Sequence, residues 1–128
     1  MNSLKLFVPL MLVTLMSACA SLGYGDVAPA KMADGMLVGS NGMTLYTFDK
    51  DAAGSGKSVC NGPCAGNWPP LMAMDSDKPT GDYSIVVRDD GKKQWAFKGK
   101  PLYFWVKDQK PGDKTGDGVN NVWRVAKP

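Results

Sequence analysis

Short apolar runs separated by turn-forming residues dominate the chain from residue 36 onward. Gly, Pro, Asn and Asp bound these runs, and no stretch keeps a 3.6-residue apolar period over three helical turns. Asn41-Gly42 and Asp90-Gly91 are strong hairpin signals. The pattern therefore predicts an all-β domain, a small antiparallel sandwich or barrel. The predicted strands are 36–38, 43–48, 83–88, 94–97, 101–107 and 122–125.

A different pattern occupies the N-terminus. Lys5 precedes an apolar run over residues 6–16, and Met16-Ser17-Ala18-Cys19 follows. A short basic region, an apolar core and small residues before a cysteine are typical of a bacterial secretion signal with a lipobox. The run is shorter than the roughly 20 residues that a membrane-spanning helix needs. We expect cleavage before Cys19 and lipidation of its thiol, with ordinary signal-peptidase cleavage around Ala20 as the alternative.

These features divide the chain into a signal peptide (1–18), a lipidated cysteine with a flexible tether (19–31) and one β domain (32–128). The tether is rich in Gly, Pro and Ala, which favours a flexible linker. Ala20, and not Asp, follows Cys19. By resemblance to Gram-negative sorting signals, this indicates an anchor in the outer membrane that faces the periplasm.

The β domain repeats itself. Residues 42–51 align without gaps on residues 99–108, and each segment leads through a Gly-rich loop to a tryptophan, Trp68 in the first copy and Trp123 in the second. We therefore expect two sequence-related halves, at about 36–71 and 83–125. The motif Y-x-[FWY]-x-x-D occurs once in each half, as Tyr46, Phe48 and Asp51 and as Tyr103, Trp105 and Asp108.

This duplicated motif resembles a family of bacterial predicted lipoproteins, also described as a secreted repeat of unknown function. The resemblance covers roughly residues 36–125 and extends to the Cys60 and Cys64 pair and the run Asn67-Trp68-Pro69-Pro70-Leu71. It implies an exported envelope protein and supports lipidation of Cys19. It implies no established activity, substrate or cofactor.

The motif has two physical interpretations. In a strand, a tyrosine and the aromatic residue two positions later project from one face. They then pack in the core, while Asp51 and Asp108 accept hydrogen bonds from loop N–H groups and hold the turn that follows the strand. Alternatively, the aromatic pairs form a shelf for a sugar, a quinone or another flat ligand.

The amino-acid composition limits which reactions and ligands the chain can support. The chain contains no histidine, which excludes histidine-based acid–base catalysis and histidine-ligated metals. Its 15 basic residues against 12 acidic ones are spread without a basic block, which disfavours nucleic-acid binding. All of the acidic residues are aspartates, which favour turns over helix interiors. No catalytic constellation emerges, and we expect a protein that is not an enzyme.

Two cysteines remain once Cys19 carries lipid. Cys60 and Cys64 flank Asn-Gly-Pro, a turn sequence that brings two Cα atoms within bridging distance. In an oxidising envelope we expect a structural disulfide. A redox pair is the alternative, although the spacing is C-x-x-x-C and not C-x-x-C.

Two metal hypotheses accompany this prediction. The segment 113–121 resembles part of an EF-hand loop, with oxygen ligands at Asp113, Thr115, Asp117 and Asn121. Arg124 occupies the place of the final carboxylate, so the calcium loop is incomplete. Met72 and Met74 offer thioether ligands for Cu(I).

The sequence as a whole predicts a lipoprotein of unknown activity, a non-enzymatic binding or structural module that contacts the membrane through its lipid. A periplasmic redox accessory protein using Cys60 and Cys64 is one alternative. A carrier of calcium or copper is the other. No resident cofactor is expected beyond the calcium hypothesis.

Overall fold

The computed structural model describes residues 28–128. The predicted signal peptide, Cys19 and most of the predicted tether lie outside these residues. Within the described part, none of the helices has the length and apolar character that a membrane crossing requires. The elements are β1 (Ala30–Ala33), β2 (Met36–Gly39), β3 (Tyr46–Phe48), α1 (Pro63–Asn67), β4 (Met72–Ala73), β5 (Tyr83–Val87), β6 (Lys93–Phe97), β7 (Lys100–Pro101) and β8 (Trp123–Val125).

The strands form three antiparallel sheets among the described residues. β1 pairs with β2, β3 pairs with β8, and β6 pairs with β4, β5 and β7. The all-β prediction with two repeated halves is confirmed, and the sheets do not close into a barrel. The tether was predicted to extend to residue 31, but Ala30 and Lys31 lie in β1. They pair with β2, and Ala30 packs in the core.

Turn chemistry explains the hairpins. Asp34 and Gly35 connect β1 to β2 with φ of 51° and 78°, a left-handed pair that suits a two-residue hairpin. The predicted turn at Asp90-Gly91 connects β5 to β6, and the Gly91 N–H donates to the carbonyl of Arg88. The predicted turn at Asn41-Gly42 follows β2.

The two halves are interlocked. The Ala126 N–H donates to the carbonyl of Leu45 at 2.8 Å, so the end of the second half closes the sheet of the first. In the same way, the Leu71 N–H donates to the carbonyl of Leu102 at 2.9 Å, and the end of the first half closes the sheet of the second. Since each half completes the other, we expect the domain to fold only as a unit.

A reciprocal main-chain pair lies at the centre of this exchange. The Tyr46 N–H donates to the Tyr103 carbonyl at 2.8 Å, and the Tyr103 N–H donates to the Tyr46 carbonyl at 3.0 Å. The alternation of side chains along a strand places the two tyrosines in one core cluster, while Leu45 and Leu102 belong to the other. All four side chains are fully buried.

Candidate functional site

The two motifs meet by crossing between the halves. The Tyr46 hydroxyl donates to Asp108 Oδ2 at 2.6 Å, and the Tyr103 hydroxyl donates to Asp51 Oδ2 at 2.5 Å. Each tyrosine thus binds the aspartate of the other motif, an arrangement that we call the crossed pairs. Sequence reasoning did not find this, because it placed each aspartate with its own motif.

The second oxygen of each aspartate holds the loop that follows its strand. Asp51 Oδ1 accepts the Val59 N–H at 2.7 Å, and Asp108 Oδ1 accepts both the N–H and the hydroxyl of Thr115, at 2.9 and 2.6 Å. The predicted role of the aspartates as acceptors for loop N–H groups agrees with this geometry. Each carboxylate therefore ties a loop of its own half to a tyrosine of the other half.

Burial governs the protonation of the crossed pairs. Loss of hydration raises the pKa of Tyr46 and of Tyr103 well above the ordinary tyrosine value, and the neighbouring aspartates raise it further. Burial also raises the pKa of Asp51, against the opposing effects of the Tyr103 hydroxyl, the Val59 N–H and the charge of Arg88. Both tyrosines accordingly remain neutral hydrogen-bond donors.

The remaining aromatic residues of the motifs belong to one aromatic stack. Its two inner rings, Trp68 and Trp123, lie 3.7 Å apart and nearly parallel at 3°. Phe48 stacks on Trp123 at 4.2 Å, and Trp105 stacks on Trp68 at 4.0 Å. Because the inner tryptophans are only 4% and 2% exposed, neighbouring rings cover the faces that a flat ligand would need.

Each inner tryptophan also meets a motif tyrosine edge to face. The ring centroids lie 5.3 Å apart for Tyr46 and Trp68 and 5.1 Å apart for Tyr103 and Trp123. The stack and the crossed pairs therefore form one continuous cluster. These contacts favour the interpretation of the motif as packing over the interpretation as a ligand shelf.

Comparison with known families agrees with the duplicated geometry. Residues 29–72 and 84–127 each match the Lipoprotein_15 model, described as a secreted repeat of unknown function. The chain belongs to this secreted repeat family. No curated protein and no solved structure matches the chain. The family match establishes the repeat and supports export, and it assigns no activity.

The second repeat contributes a buried arginine that the sequence pattern did not single out. Arg88 is 5% exposed, and its guanidinium donates to Ser58 Oγ at 2.9 Å and to Gln94 Oε1 at 2.7 Å. It also donates to the Cys60 carbonyl and to Asn61 Oδ1. Arg88 directly precedes the turn into β6, where an arginine normally faces solvent. Only the tertiary structure reveals its burial.

Arg88 supports one of the two crossed pairs. Ser58 Oγ lies 2.6 Å from the Tyr103 hydroxyl, and the single hydroxyl proton of Tyr103 is directed to Asp51. Ser58 consequently donates to Tyr103 while it accepts from Arg88. Among the described residues, every buried side-chain nitrogen and oxygen has a hydrogen-bond partner.

The structure joins Cys60 and Cys64 in a disulfide, with the Cα atoms 5.2 Å apart. Cys60 is fully buried, whereas Cys64 lies half-buried near the start of α1. The bridge shapes the loop that presents Ser58 and the Cys60 carbonyl to Arg88. Its position agrees with the structural role that the sequence predicts.

The predicted calcium ligands lie in a loop whose oxygens already accept or donate hydrogen bonds. Asp113 and Asp117 accept main-chain N–H groups, and the Thr115 hydroxyl donates to Asp108. Asn121 has a left-handed backbone with φ of 60°. Over residues 28–128, no three His, Cys, Asp or Glu side chains are grouped as a metal site requires. Calcium binding stays a prediction.

Two methionines proposed for copper lie at the surface. Met72 is in β4, Met74 follows that strand, and their side chains are 45% and 67% exposed. Copper binding also stays a prediction.

Besides a cleft of about 300 Å³ beside Leu71 and Trp95, two clefts of similar size open on the surface of the described domain. One, of about 340 Å³, borders the aromatic stack and the disulfide. Its lining residues are Phe48, Lys50, Cys64, Asn67, Trp68, Asn120, Val122 and Trp123. The other, of about 310 Å³, lies beside β8 and the β6–β7 turn and is lined by four basic side chains.

Proposed function

We propose that this protein is an envelope lipoprotein, held in the outer membrane by a lipid on Cys19, whose repeat domain is a non-enzymatic binding or structural module. The observation that carries the proposal is the engagement of both motifs in the crossed pairs. The residues that define the family hold the two halves together.

Support for the scaffold role comes from hydrogen bonding and burial. Both tyrosines are fully buried, and Asp51 and Asp108 are 5% and 8% exposed. A nucleophile or a general base must reach its substrate. A carboxylate that accepts a tyrosine hydroxyl and a loop N–H group deep in the core serves instead to fix the fold.

Support for the anchor comes from the sequence and the family. The lipobox ends at Cys19, and the family model describes a secreted repeat. Anchoring by a diacylglycerol thioether requires this cysteine. The same export route delivers Cys60 and Cys64 to an oxidising compartment, where a disulfide persists.

A redox accessory role through Cys60 and Cys64 is the second candidate. One observation favours it, because Cys64 lines the cleft beside the aromatic stack, where a partner thiol can approach one sulfur. The full burial of Cys60 and its carbonyl bond to Arg88 favour the structural role. Counting free thiols in unreduced, denatured protein from the envelope distinguishes the two, since a structural disulfide gives none and a cycling pair gives two.

The anchor is tested by fractionation of cells that express Cys19→Ser. We expect the variant to leave the membrane fraction for the soluble one, because one lipid-bearing cysteine supplies the anchor. Cys64→Ser is the matched control and should stay with the membrane. If Cys19→Ser remains in the membrane fraction as fully as the control, the lipoprotein proposal is wrong.

A further inference from the structure

Four basic side chains surround the cleft of about 310 Å³ beside β8, which we call the basic cleft. Its apolar lining includes the half-buried Phe97. A volume near 300 Å³ is at the lower end of the range for small-molecule sites. The basic residues are Lys98, Lys100, Arg124 and Lys127.

The hairpin between β6 and β7 positions two of these lysines. Lys98 and Gly99 form its two-residue turn, with φ of 51° and 82°. Such left-handed turns favour Asn, Asp or Gly at the first position, and a lysine there brings the turn no hydrogen-bond acceptor. Lys100 follows directly, so the turn places both lysines in the lining of the cleft.

The charge of the cleft is only partly compensated. Arg124 Nη2 lies 2.9 Å from Asp49 Oδ2. Within residues 28–128, no carboxylate lies within 4.0 Å of the ammonium groups of the three lysines. Lys98 lies over the Phe97 ring, with its Nζ 5.4 Å from the ring centroid. Three lysines that line one concave surface without a neighbouring carboxylate attract an anion more strongly than the same charges scattered over a convex surface.

The duplicated fold supplies an internal comparison. The repeat alignment sets Asn41 and Met43 opposite Lys98 and Lys100. Strand pairing identifies the other two counterparts, since Tyr103 pairs with Pro70 as Tyr46 pairs with Val125. Arg124 and Lys127 therefore correspond to Pro69 and Met72.

None of the four counterparts is charged, although the same strands and the same buried leucine occur in both halves. The fold itself consequently does not require these cations. A cleft lined by one sign of charge raises the local concentration of oppositely charged ligands.

We propose that the basic cleft binds the phosphate group of an anionic ligand whose apolar part rests on the half-buried ring of Phe97. Lysine ammonium groups bind phosphate as point charges, and phosphate carries more charge and more acceptor oxygens than a carboxylate. The inference rests on the binding function proposed above and is independent of the anchor and of the crossed pairs. In the envelope, a free phosphate ester and a lipid headgroup share this chemistry.

The test uses the exported chain with Cys19→Ser, so that no lipid of its own inserts into a bilayer. Phenyl phosphate, benzoate and inorganic phosphate are titrated in low salt by following amide resonances, and the chain is sedimented with vesicles of phosphatidylglycerol or of phosphatidylcholine. The cleft variant is Lys98→Asn with Lys100→Gln and Lys127→Gln. Its matched control, Lys57→Gln with Lys78→Gln and Lys110→Gln, removes the same charge from exposed lysines elsewhere.

We expect saturable binding of phenyl phosphate that is tighter than that of benzoate, weakens as salt is added and falls by about tenfold or more in the cleft variant alone. Binding to phosphatidylglycerol vesicles with the same dependence on the cleft lysines identifies a lipid headgroup as the source of the phosphate. Binding of the soluble ester without vesicle binding identifies a free ligand.

Three results overturn the inference. The first is equal loss of binding in the control, which indicates diffuse charge. The second is equal affinity for benzoate, and the third is no binding to any phosphate probe or anionic vesicle. None of them affects the fractionation result for Cys19→Ser, so failure here is distinguishable from failure of the anchor.

Discussion

The hydroxyl of Tyr103 lies against Ser58, and Ser58 in turn accepts from the buried guanidinium of Arg88. The hydroxyl of Tyr46 instead accepts the main-chain N–H of Gly116 at 3.1 Å, with no arginine among its hydrogen-bond partners. The hydroxyl of Tyr103 is thus supported by side chains, and the hydroxyl of Tyr46 is supported by the main chain.

This difference distinguishes the features that both halves share from the features that occur in one half alone. The tyrosine–aspartate bond, the stacked tryptophan and the closing strand occur in both halves, so they are the shared framework. The disulfide and Arg88 occur beside Tyr103 alone, and the basic cleft occurs where β8 closes the first half. Features confined to one half are the places where the two halves differ in internal support and in surface charge.

The largest expected effect follows from removing the side-chain support of Tyr103. Arg88→Met leaves Gln94 Oε1 and the Cys60 carbonyl without their donor inside the core. We expect a loss of about 3 kcal/mol or more in the free energy of unfolding, measured by urea denaturation. Arg124→Met is the control, because exposed ion pairs contribute only about 0–1 kcal/mol. If both variants lost equally little unfolding free energy, Arg88 would not stabilise the Tyr103–Asp51 pair.

A smaller effect tests the backbone support of Tyr46. A Cβ atom on Gly116 would lie 2.8 Å from the Trp68 ring and 3.0 Å from Trp105. Gly116→Ala should therefore lower the unfolding free energy by about 1–3 kcal/mol through overpacking. Gly66→Ala is the matched control, since no atom lies within 4 Å of its Cβ position in α1 and alanine favours helix. If Gly116→Ala left the free energy of unfolding unchanged, the aromatic stack would have to shift to accommodate the added Cβ atom.

The smallest expected effect tests most directly whether each tyrosine binds the aspartate of the other motif. In a double-mutant cycle, Tyr46→Phe and Asp108→Ala should couple by about 0.5–3 kcal/mol, because each removes one partner of the same hydrogen bond. Tyr46→Phe and Asp51→Ala change the same motif but different hydrogen bonds. Their effects on the free energy of unfolding should therefore add within about 0.5 kcal/mol. Stronger coupling within a motif than between motifs would contradict the interlocked arrangement.

Much of the fold was predictable because its signals are local. Alternating apolar residues and Asn-Gly or Asp-Gly turns depend on neighbours a few positions away, and they identified most of the strands. The short elements β1, β4 and α1 were missed, since two to five residues carry too little periodicity to stand out. The strand predicted at 101–107 is also shorter in the structure, where β7 covers only Lys100–Pro101. The alternation also predicted that each motif tyrosine and the aromatic residue two positions later would lie on one face of their strand.

The candidate site depended on contacts that no local pattern encodes. The crossed pairs join residues 62 and 52 positions apart, and only the reciprocal pairing of Tyr46 with Tyr103 brings them together. The sequence around Arg88 is typical of a surface turn. Its guanidinium is buried because it contacts the Cys60 loop, which lies 28 positions earlier in the chain. The basic cleft likewise forms from separate segments, the β6–β7 turn and β8.

The sequence by itself determined the duplication, the all-β architecture, the cysteine pair that bridges and the family. These follow from repetition, short-range periodicity and spacing, which are properties of the chain alone. The tertiary structure decided which aspartate accepts from which tyrosine, which arginine is buried and which lysines line one cleft. Those outcomes depend on how the closing strand of each half pairs with the other half, and burial and electrostatic proximity exist only once that pairing has formed.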